Sequence, residues 1–406
     1  MQKISKLFPA LGYRNYRNFW LTQWIALVGF WLQLTTQQWL VYRMTDSALM
    51  LGLLSAFQFL PSFLFTIPAG VWIDRHNKRK ILMWTQCMYM IQASSLGLLL
   101  LSGHETYCWM LFFAFFTGSI DAFDMPTRLA FMQELVGPEA LHSAMGLNST
   151  NFNLTRMIGP VLAAFLLNHL SYSALFFMNA ASLLPILFVY RNMNVNSVPA
   201  PVVNRNPFRE MKSGFKMAAH IPAIITNIVC VGIISSFLLN FSTYGPLFAD
   251  RVLHRGLGGF GSLLFFIGLG SMTGGLLAAS SSRKVSQKSI FNFAILSGIL
   301  LMMVSYITIY ALAMALFTFL GFMVILFMVN CNTAIQMASP KEYLGRIMSL
   351  YTFVFLGCTP FGTLFTSAVI EYAGTSNGLF LIGALTVLLI LLTIKILWAG
   401  KTHAGT

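Results

Sequence analysis

Two carboxylates and a guanidinium recur at helical spacing in a stretch that is apolar enough to cross a bilayer. Asp121, Asp124 and Arg128 are three and four residues apart, which places their side chains on one face of a helix. An unpaired Asp at mid-membrane costs about 2.5–3.5 kcal/mol on insertion scales, so Asp121, the deepest carboxylate, needs a function or a partner. Two roles compete for Asp121: it carries a proton across the membrane, or it pairs structurally with Arg156.

Arg156 is the one Lys or Arg counted inside the bilayer, since Arg17, Arg346 and Lys395 lie at the cytoplasmic ends of their predicted spans. It either binds an anionic group of a ligand bidentately or neutralises Asp121 or Asp124, and the second role is favoured. Amide and aromatic side chains recur in the spans, and a cavity that they line suits an amphipathic solute better than a bare ion. Amides also hold membrane helices together, which is the structural alternative. The candidates for substrate binding are Gln37, Asn148, Asn151, Arg156, Asn240 and Tyr244.

Other kinds of site are missing from the sequence. Gly400-Lys401-Thr402 lacks the upstream glycine of a phosphate-binding loop, so ATP is not expected as the energy source. The seven His are dispersed, and no Ser or Cys has a credible catalytic base nearby in sequence. We therefore expect no metal, no cofactor and no enzymatic activity, and we interpret the five scattered cysteines as packing residues.

The elements that carry these residues are membrane-spanning helices. The chain has 406 residues, of which 57% are hydrophobic and 9% charged, with a mean hydropathy of +0.73. This leaves too little polar surface for a water-soluble protein. Apolar runs of about 20 residues are long enough to cross a bilayer, and only helices satisfy the backbone there. We predict twelve spans: 17–42, 48–73, 81–102, 107–125, 142–166, 173–190, 221–249, 257–280, 290–309, 312–336, 345–370 and 378–399.

The distribution of charge predicts the orientation. The net charge of +14 would suggest a nucleic-acid partner in a soluble protein. Here, 21 of the 25 Lys and Arg lie on one side of the predicted topology and three on the other. Because positively charged loops stay in the cytoplasm, we expect a multi-pass protein of a bacterial inner membrane with both termini cytoplasmic. The same distribution of charge argues against a nucleic-acid partner. We expect no signal peptide, because the first apolar run is already a full-length span.

The spans divide into two halves. A polar interruption at 191–220 separates six spans from six, which predicts an N-terminal bundle at 1–190, a cytoplasmic linker at 191–220 and a C-terminal bundle at 221–406. Pro138–Leu147 is similar to Pro340–Leu350, and Gly159-Pro160 to Thr359-Pro360, at an offset of about 200 residues. A repeat of this kind predicts an all-α fold of two pseudo-symmetric six-helix bundles with a substrate site near mid-membrane.

These motifs resemble the major facilitator superfamily over essentially the whole chain. The loop after the second span, with Gly70, Asp74 and Arg75 before a basic run at 78–80, resembles the superfamily signature, although Asn77 stands where glycine is usual. Other stretches resemble the branch of the enterobactin exporter. They include Tyr13–Trp20, Trp39–Tyr42, Gln58–Pro61, Phe123–Arg128, Glu134–Glu139 and Gly345–Tyr351.

The resemblance implies gating roles. Asp74 would face the start of the eleventh helix near Gly345 and Arg346 when the cytoplasmic side is closed, where a carboxylate is favoured by about 0.3–1 kcal/mol. The alternative is that these charges only enforce topology. Gly159-Pro160 matches the spacing of the antiporter motif in the fifth helix, which bends there. Asp124 and Arg128 resemble a brace of the inner gate. The gating candidates are Gly70, Asp74, Arg75, Asp124, Arg128, Gly159, Pro160, Gly345 and Arg346.

The sequence as a whole predicts a secondary transporter in the lipid bilayer. The leading hypothesis is export of a small amphipathic molecule, of which a siderophore is one example, by proton antiport through Asp121. The alternative with the same fold is an importer of a siderophore or similar solute. A non-transporting membrane protein is a third interpretation. Export across the inner membrane leaves room for outer-membrane or periplasmic efflux partners.

Overall fold

The protein is all-α throughout the part of the chain that the structure describes. The computed structural model describes residues 8–193, 207–280 and 286–399, and no strand occurs among them. A short 3₁₀ turn, Pro9–Gly12, precedes the helices. The first seven helices are α1 Arg14–Thr45, α2 Ala48–Asp74, α3 Lys78–Leu101, α4 Tyr107–Leu166, α5 Tyr172–Ser182, α6 Leu184–Asn192 and α7 Pro207–His220. The other seven are α8 Pro222–Phe237, α9 Phe241–Leu247, α10 Gly256–Ser280, α11 Gln287–Val304, α12 Tyr310–Ala338, α13 Leu344–Ala373 and α14 Thr375–Thr393.

The twelve predicted spans map onto these helices, but not one to one. Among the described residues, nine helical stretches are long and apolar enough to cross a membrane. One of them, α4, is 60 residues long and holds two predicted spans. The amide-rich helices α1 and α3 have 32 and 24 residues and provide the remaining two spans. Conversely, α5 with α6 forms one span, and α8 with α9 and a π-helical turn at Phe248–Val252 forms another.

A left-handed glycine divides α4. Gly137 has a φ of +68°, and a Cβ built there would meet no atom within 4 Å, so its backbone angle rather than crowding explains the glycine. Pro138 follows and starts the second span of the helix. At the matching place in the second half, α12 ends at Ala338 and Pro340 precedes α13. The repeat found in the sequence therefore marks the same turn in both halves.

The chain forms two compact units. The first comprises Met1–Met44 and Leu60–Val203, and the second comprises Thr45–Phe59 and Asn204–Thr406. The division falls within α2, next to Pro61, so the first half of this helix packs with the C-terminal helices. The boundaries predicted from polarity, 1–190, 191–220 and 221–406, assign all of α2 to the first bundle.

The first half of α2 is attached to its unit by polar contacts. The Glu371 carboxylate accepts hydrogen bonds from the Ser47 hydroxyl at 3.0 Å, the Ala48 amide at 2.7 Å and the Leu49 amide at 3.4 Å. Further along α2, the Ser55 and Thr243 hydroxyls are 3.0 Å apart. The three contacts of the carboxylate are called the Glu371 cap, because it satisfies amides at the helix N-terminus that have no partner within the helix.

Small residues bring helices together in each unit. A Cβ on Gly159 would lie 2.4 Å from the Trp31 Cβ, so α4 and α1 touch there. In the second unit, a Cβ on Gly362 would lie 2.3 Å from the Ser236 Cα, which brings α13 against α8. The absence of a side chain at Gly159 permits this close approach of the two helices. The next residue, Pro160, lies within α4 and is buried.

Candidate proton and solute sites

An ion pair on α4, with a buried carboxylate, lies against α3 in the first unit. Asp124 is 1% exposed, and its Oδ2 accepts a hydrogen bond from Arg128 Nη2 one helical turn later. Its other oxygen accepts hydrogen bonds from Thr85 Oγ1 at 2.6 Å and Gln86 Nε2 at 2.9 Å. Both carboxylate oxygens are thus satisfied, as a charge in a membrane requires. The helical face predicted from the three- and four-residue spacing is confirmed.

Asp121, one turn earlier on the same face, has a different environment. Its Oδ1 accepts a hydrogen bond from the Tyr89 hydroxyl of α3, and no described cation lies within ion-pair distance. Asp121 is half-buried, whereas Tyr89 is buried. A carboxylate with a neutral partner in a span can take up a proton without breaking an ion pair, which distinguishes Asp121 chemically from Asp124.

The predicted pair between Arg156 and these carboxylates is wrong. Arg156 makes no ion pair with Asp121 or Asp124, and Arg128 occupies the position beside Asp124 instead. The physical reason is local: Arg128 is one turn of helix from Asp124, whereas Arg156 lies beyond the turn at Gly137, in the second span of α4. Arg156 is half-buried in that span.

Most amide candidates for substrate binding also link helices. Gln37 Nε2 donates to the Met110 carbonyl at 3.2 Å. Asn151 Nδ2 donates to the Trp20 carbonyl at 3.3 Å, and in the part of the chain that the structure describes its buried Oδ1 has no hydrogen-bond partner. Asn240 accepts from Thr363 at 2.7 Å in the second unit. The structural alternative weighed for these amides therefore accounts for at least one contact of each of the three.

Two further candidates differ from those amides. Tyr244 is fully buried in the second unit, and its hydroxyl has no hydrogen-bond partner among the described residues. Asn148 is half-buried on α4, two turns before Arg156. A substrate-binding role for either residue stays a prediction.

Sequence reasoning missed the polar side chains that α3 contributes. Tyr89, which binds Asp121, was not singled out, and neither was Thr85. The available signal was spacing, since Thr85 and Tyr89 lie four residues apart and present polar groups on one face of a span. Gln92, one turn further, accepts from Gln33 Nε2 at 2.9 Å. Gln33 accepts in turn from Asn179 at 2.7 Å, so a chain of amides joins α1, α3 and α5.

Five of the gating candidates lie at or near helix ends: Gly70, Asp74, Arg75, Gly345 and Arg346. Asp74 is the last residue of α2, and both it and Arg75 are exposed. Arg346 lies in the first turn of α13, with its guanidinium 5.2 Å from the ring centroid of Tyr343. A Cβ on Gly70 or Gly345 would meet no atom within 4 Å. The gating roles of these residues stay predictions.

The basic run after α2 has a structural function in one place. Lys78 Nζ is 2.7 Å from Glu134 Oε1, and the lysine is 8% exposed. This ion pair joins the first turn of α3 to the end of the first span of α4. Lys78 therefore does more than direct topology. Among the described residues, no group of three or more His, Cys, Asp or Glu is placed to hold a metal ion.

Comparison with protein families decides the class. A major facilitator family model described as "transmembrane secretion effector" matches residues 5–402. The chain belongs to this family. It is a multi-pass membrane transporter, so the coarse prediction of a major facilitator transporter is confirmed.

Curated relatives are distant. The chain is 24% identical over 244 residues to an uncharacterised MFS-type transporter, YceJ, of Bacillus subtilis (strain 168), covering 59% of this chain and 58% of the relative. It is 27% identical over 159 residues to macrolide efflux protein A of Streptococcus pyogenes, covering 38% and 39%. It is 21% identical over 215 residues to the staphyloferrin A transporter of Staphylococcus aureus (strain NCTC 8325 / PS 47), covering 50% and 51%. The chain thus spans about half the length of the curated relatives that it matches.

Solved structures share the fold over nearly the whole chain. A bacterial homologue of the human lysosomal transporter Spinster has a TM-score of 0.73 at 13% identity, covering 94% of this chain and 95% of that one. The nucleoside transporter NupG has a TM-score of 0.74 at 9% identity, covering 94% and 98%. The predicted fold is confirmed: an all-α integral membrane protein with twelve transmembrane helices in two six-helix bundles.

Proposed function

We propose that this transporter exports a small amphipathic solute, of which siderophores are one class, across the inner membrane by proton antiport, with both termini in the cytoplasm. The observation that carries the proposal is the difference between two carboxylates on one helix. Asp124 is bonded to a guanidinium and two further donors, whereas Asp121 accepts from the neutral Tyr89 hydroxyl. Asp121 is therefore the group that exchanges a proton during transport.

Protonation of Asp121 alters the balance between conformations through electrostatics. A charged carboxylate inside a span is costly unless it is solvated or hydrogen-bonded, and a neutral one is tolerated more easily. A proton gained from the outside and lost to the inside therefore changes the relative free energies of the outward-open and inward-open states. Solute movement in the opposite direction is coupled to that change.

The proposed solute has an anionic and an apolar part. Arg156 is a half-buried guanidinium in a span, and it forms no ion pair with either carboxylate, Asp121 or Asp124. Guanidinium groups bind carboxylates and related anions bidentately. The names of two relatives, a macrolide efflux protein and a staphyloferrin A transporter, support export and a siderophore-like solute as the working hypothesis.

Substitution of Asp121 tests the proposal directly. In everted vesicles with an imposed pH gradient, we expect Asp121→Asn to abolish gradient-driven movement of the solute. The probes are a radiolabelled macrolide and staphyloferrin A, and extracellular metabolites that a deletion strain fails to release extend the panel. Solute counterflow without a gradient should persist, because a neutral amide removes proton exchange while preserving side-chain size.

The matched control is Glu139→Gln, which neutralises an exposed carboxylate on the same helix. It should leave both gradient-driven transport and counterflow unchanged. Undiminished gradient-driven transport by Asp121→Asn would exclude the assignment. Accumulation in right-side-out vesicles with none in everted vesicles would support the importer instead.

A further inference from the structure

An apolar groove runs between α8 and α13 in the second unit. It has a volume of about 350 Å³ and is lined by Ile225, Val229 and Gly232 of α8 and by Leu350, Val354 and Cys358 of α13. A volume of this size lies in the range of small-molecule sites. Phe215 of α7 lines the groove as well.

The equivalent interface of the first unit is closed by hydrogen bonds. There, Trp20 Nε1 donates to the Leu147 carbonyl at 3.1 Å, and Asn151 donates back to the Trp20 carbonyl at 3.3 Å. In the second unit, the surface between α8 and α13 is lined mainly by apolar side chains, and Val354 and Cys358 of α13 lie close to Gly232 of α8.

The length of the groove fits one hydrocarbon chain. It extends along α8 from Ile225 to Phe237, which at 1.5 Å per residue is about 18 Å. One leaflet contributes about half of the roughly 30 Å hydrocarbon core of a bilayer. The groove therefore spans about the depth of a single leaflet, as an acyl chain does.

Positive charge gathers at the α7 end of this groove. Phe215 is 55% exposed, and its neighbour Lys216 and the nearby His220 are exposed too. A Cβ on Gly214 would lie 3.0 Å from the Arg346 Cβ, which places a second cationic residue beside α7, one turn before Leu350. Short helices with exposed aromatic and cationic residues lie in the membrane interface, where they attract anionic lipids.

We propose that this groove holds one acyl chain of an anionic phospholipid whose headgroup lies against Lys216. None of the residues that line this groove is a proposed proton or solute group, so the inference goes beyond the proposed function. The apolar part of a transported solute is the competing occupant, and the experiment below distinguishes the two.

The test measures retained lipid on the full-length protein. Purified protein from nanodiscs of phosphatidylcholine and phosphatidylglycerol is analysed by native mass spectrometry. We expect one phosphatidylglycerol to stay bound to each wild-type monomer and to be lost in Val229→Phe, which fills the groove. The matched control, Leu296→Phe, enlarges a side chain that is 42% exposed on α11 and should retain the lipid. Lys216→Glu should reduce the preference for phosphatidylglycerol about fivefold, while Lys288→Glu, an exposed lysine on α11, should not.

A thiol in the groove gives a second measurement that does not depend on the fold of the filled variant. With Cys87 and Cys108 replaced by serine, Cys358 should react with a maleimide faster after delipidation, and added phosphatidylglycerol should slow it again. Two results would overturn the proposal. One is equal lipid retention by wild type and Val229→Phe when that variant is folded. The other is protection of Cys358 by the macrolide or staphyloferrin A but not by phosphatidylglycerol.

Discussion

Asp121 and Asp124 are three residues apart on one helix, yet their carboxylates have different partners. Asp124 has a guanidinium and two neutral donors around it, so its charge is compensated where it is buried. Asp121 has one neutral donor, Tyr89. Buried ion pairs often contribute little net stability, yet removal of one partner is costly because the other charge is left uncompensated. The two carboxylates should therefore respond differently to neutralisation.

For Asp124, we expect a loss of stability rather than of coupling alone. Asp124→Asn leaves the half-buried Arg128 without its counter-ion, at a cost of up to about 3–5 kcal/mol. Thermal unfolding in detergent, followed by a thiol-reactive dye, should show a clearly lowered Tm. The double variant Asp124→Asn with Arg128→Met should recover most of the loss. An unchanged Tm for the single variant would contradict a structural ion pair at this position.

For individual residues, the sequence predicts which side chains share a face of one helix, but it does not predict contacts between side chains on different helices. The spacing of Asp121, Asp124 and Arg128 is enough to place them on one face, and the structure confirms it. Tyr89 was missed because its contact with Asp121 depends on how α3 is rotated against α4. The same limit produced the error for Arg156, whose assignment was based on the shortage of other cations rather than on distance.

Helix α2 shows what a single element contributes. Its first half belongs to the second unit and its second half to the first, with Pro61 at the division. A proline inside a helix removes one hydrogen bond and permits bending. The apolar run at 48–73 predicted the helix itself. Its division between units was not predictable, because the Glu371 cap joins residues more than 320 positions apart.

Removal of the cap should loosen only the start of α2. Glu371→Ala deletes the acceptor for the Ala48 and Leu49 amides, and loss of a capping side chain costs about 0.5–2 kcal/mol. Hydrogen exchange followed by mass spectrometry should become faster at the first turn of α2, with the second half of the helix unchanged.

The control for this experiment is Glu342→Ala, an exposed carboxylate of the second unit. It should leave exchange in α2 as in wild type. If Glu371→Ala also left exchange at Ala48 and Leu49 unaltered, the carboxylate would not hold this helix end in the membrane.

For the whole molecule, the number of apolar runs predicts the fold class, and the asymmetric distribution of Lys and Arg predicts the orientation in the membrane. Twelve apolar runs and their loops were enough to give the fold class, because each span satisfies its own backbone. Helix boundaries such as the continuous α4 were not predicted, since a single left-handed glycine can replace a loop. The orientation in the membrane rests on the positive-inside rule alone.

A native cysteine reports on that orientation. Cys108 is exposed at the start of α4, on the predicted outer side. A membrane-impermeant maleimide added to intact spheroplasts should label the protein, and Cys108→Ser should remove most of that label. The buried Cys230 and Cys331 should stay unmodified in both cases. Labelling of Cys108 from everted vesicles only would reverse the topology.

Because the two halves of α2 belong to different units, the protein cannot readily be divided into two independently folding fragments. A gene cut between α6 and α7 would give a first fragment whose residues 45–59 have their packing partners on the other fragment. Neither fragment should then fold as an independent module. Hybrids that exchange halves between related transporters should fail unless residues 45–59 and α13 come from the same parent. In engineered hybrids, recombination breakpoints are therefore better placed inside α2 than in the polar interruption at 191–220.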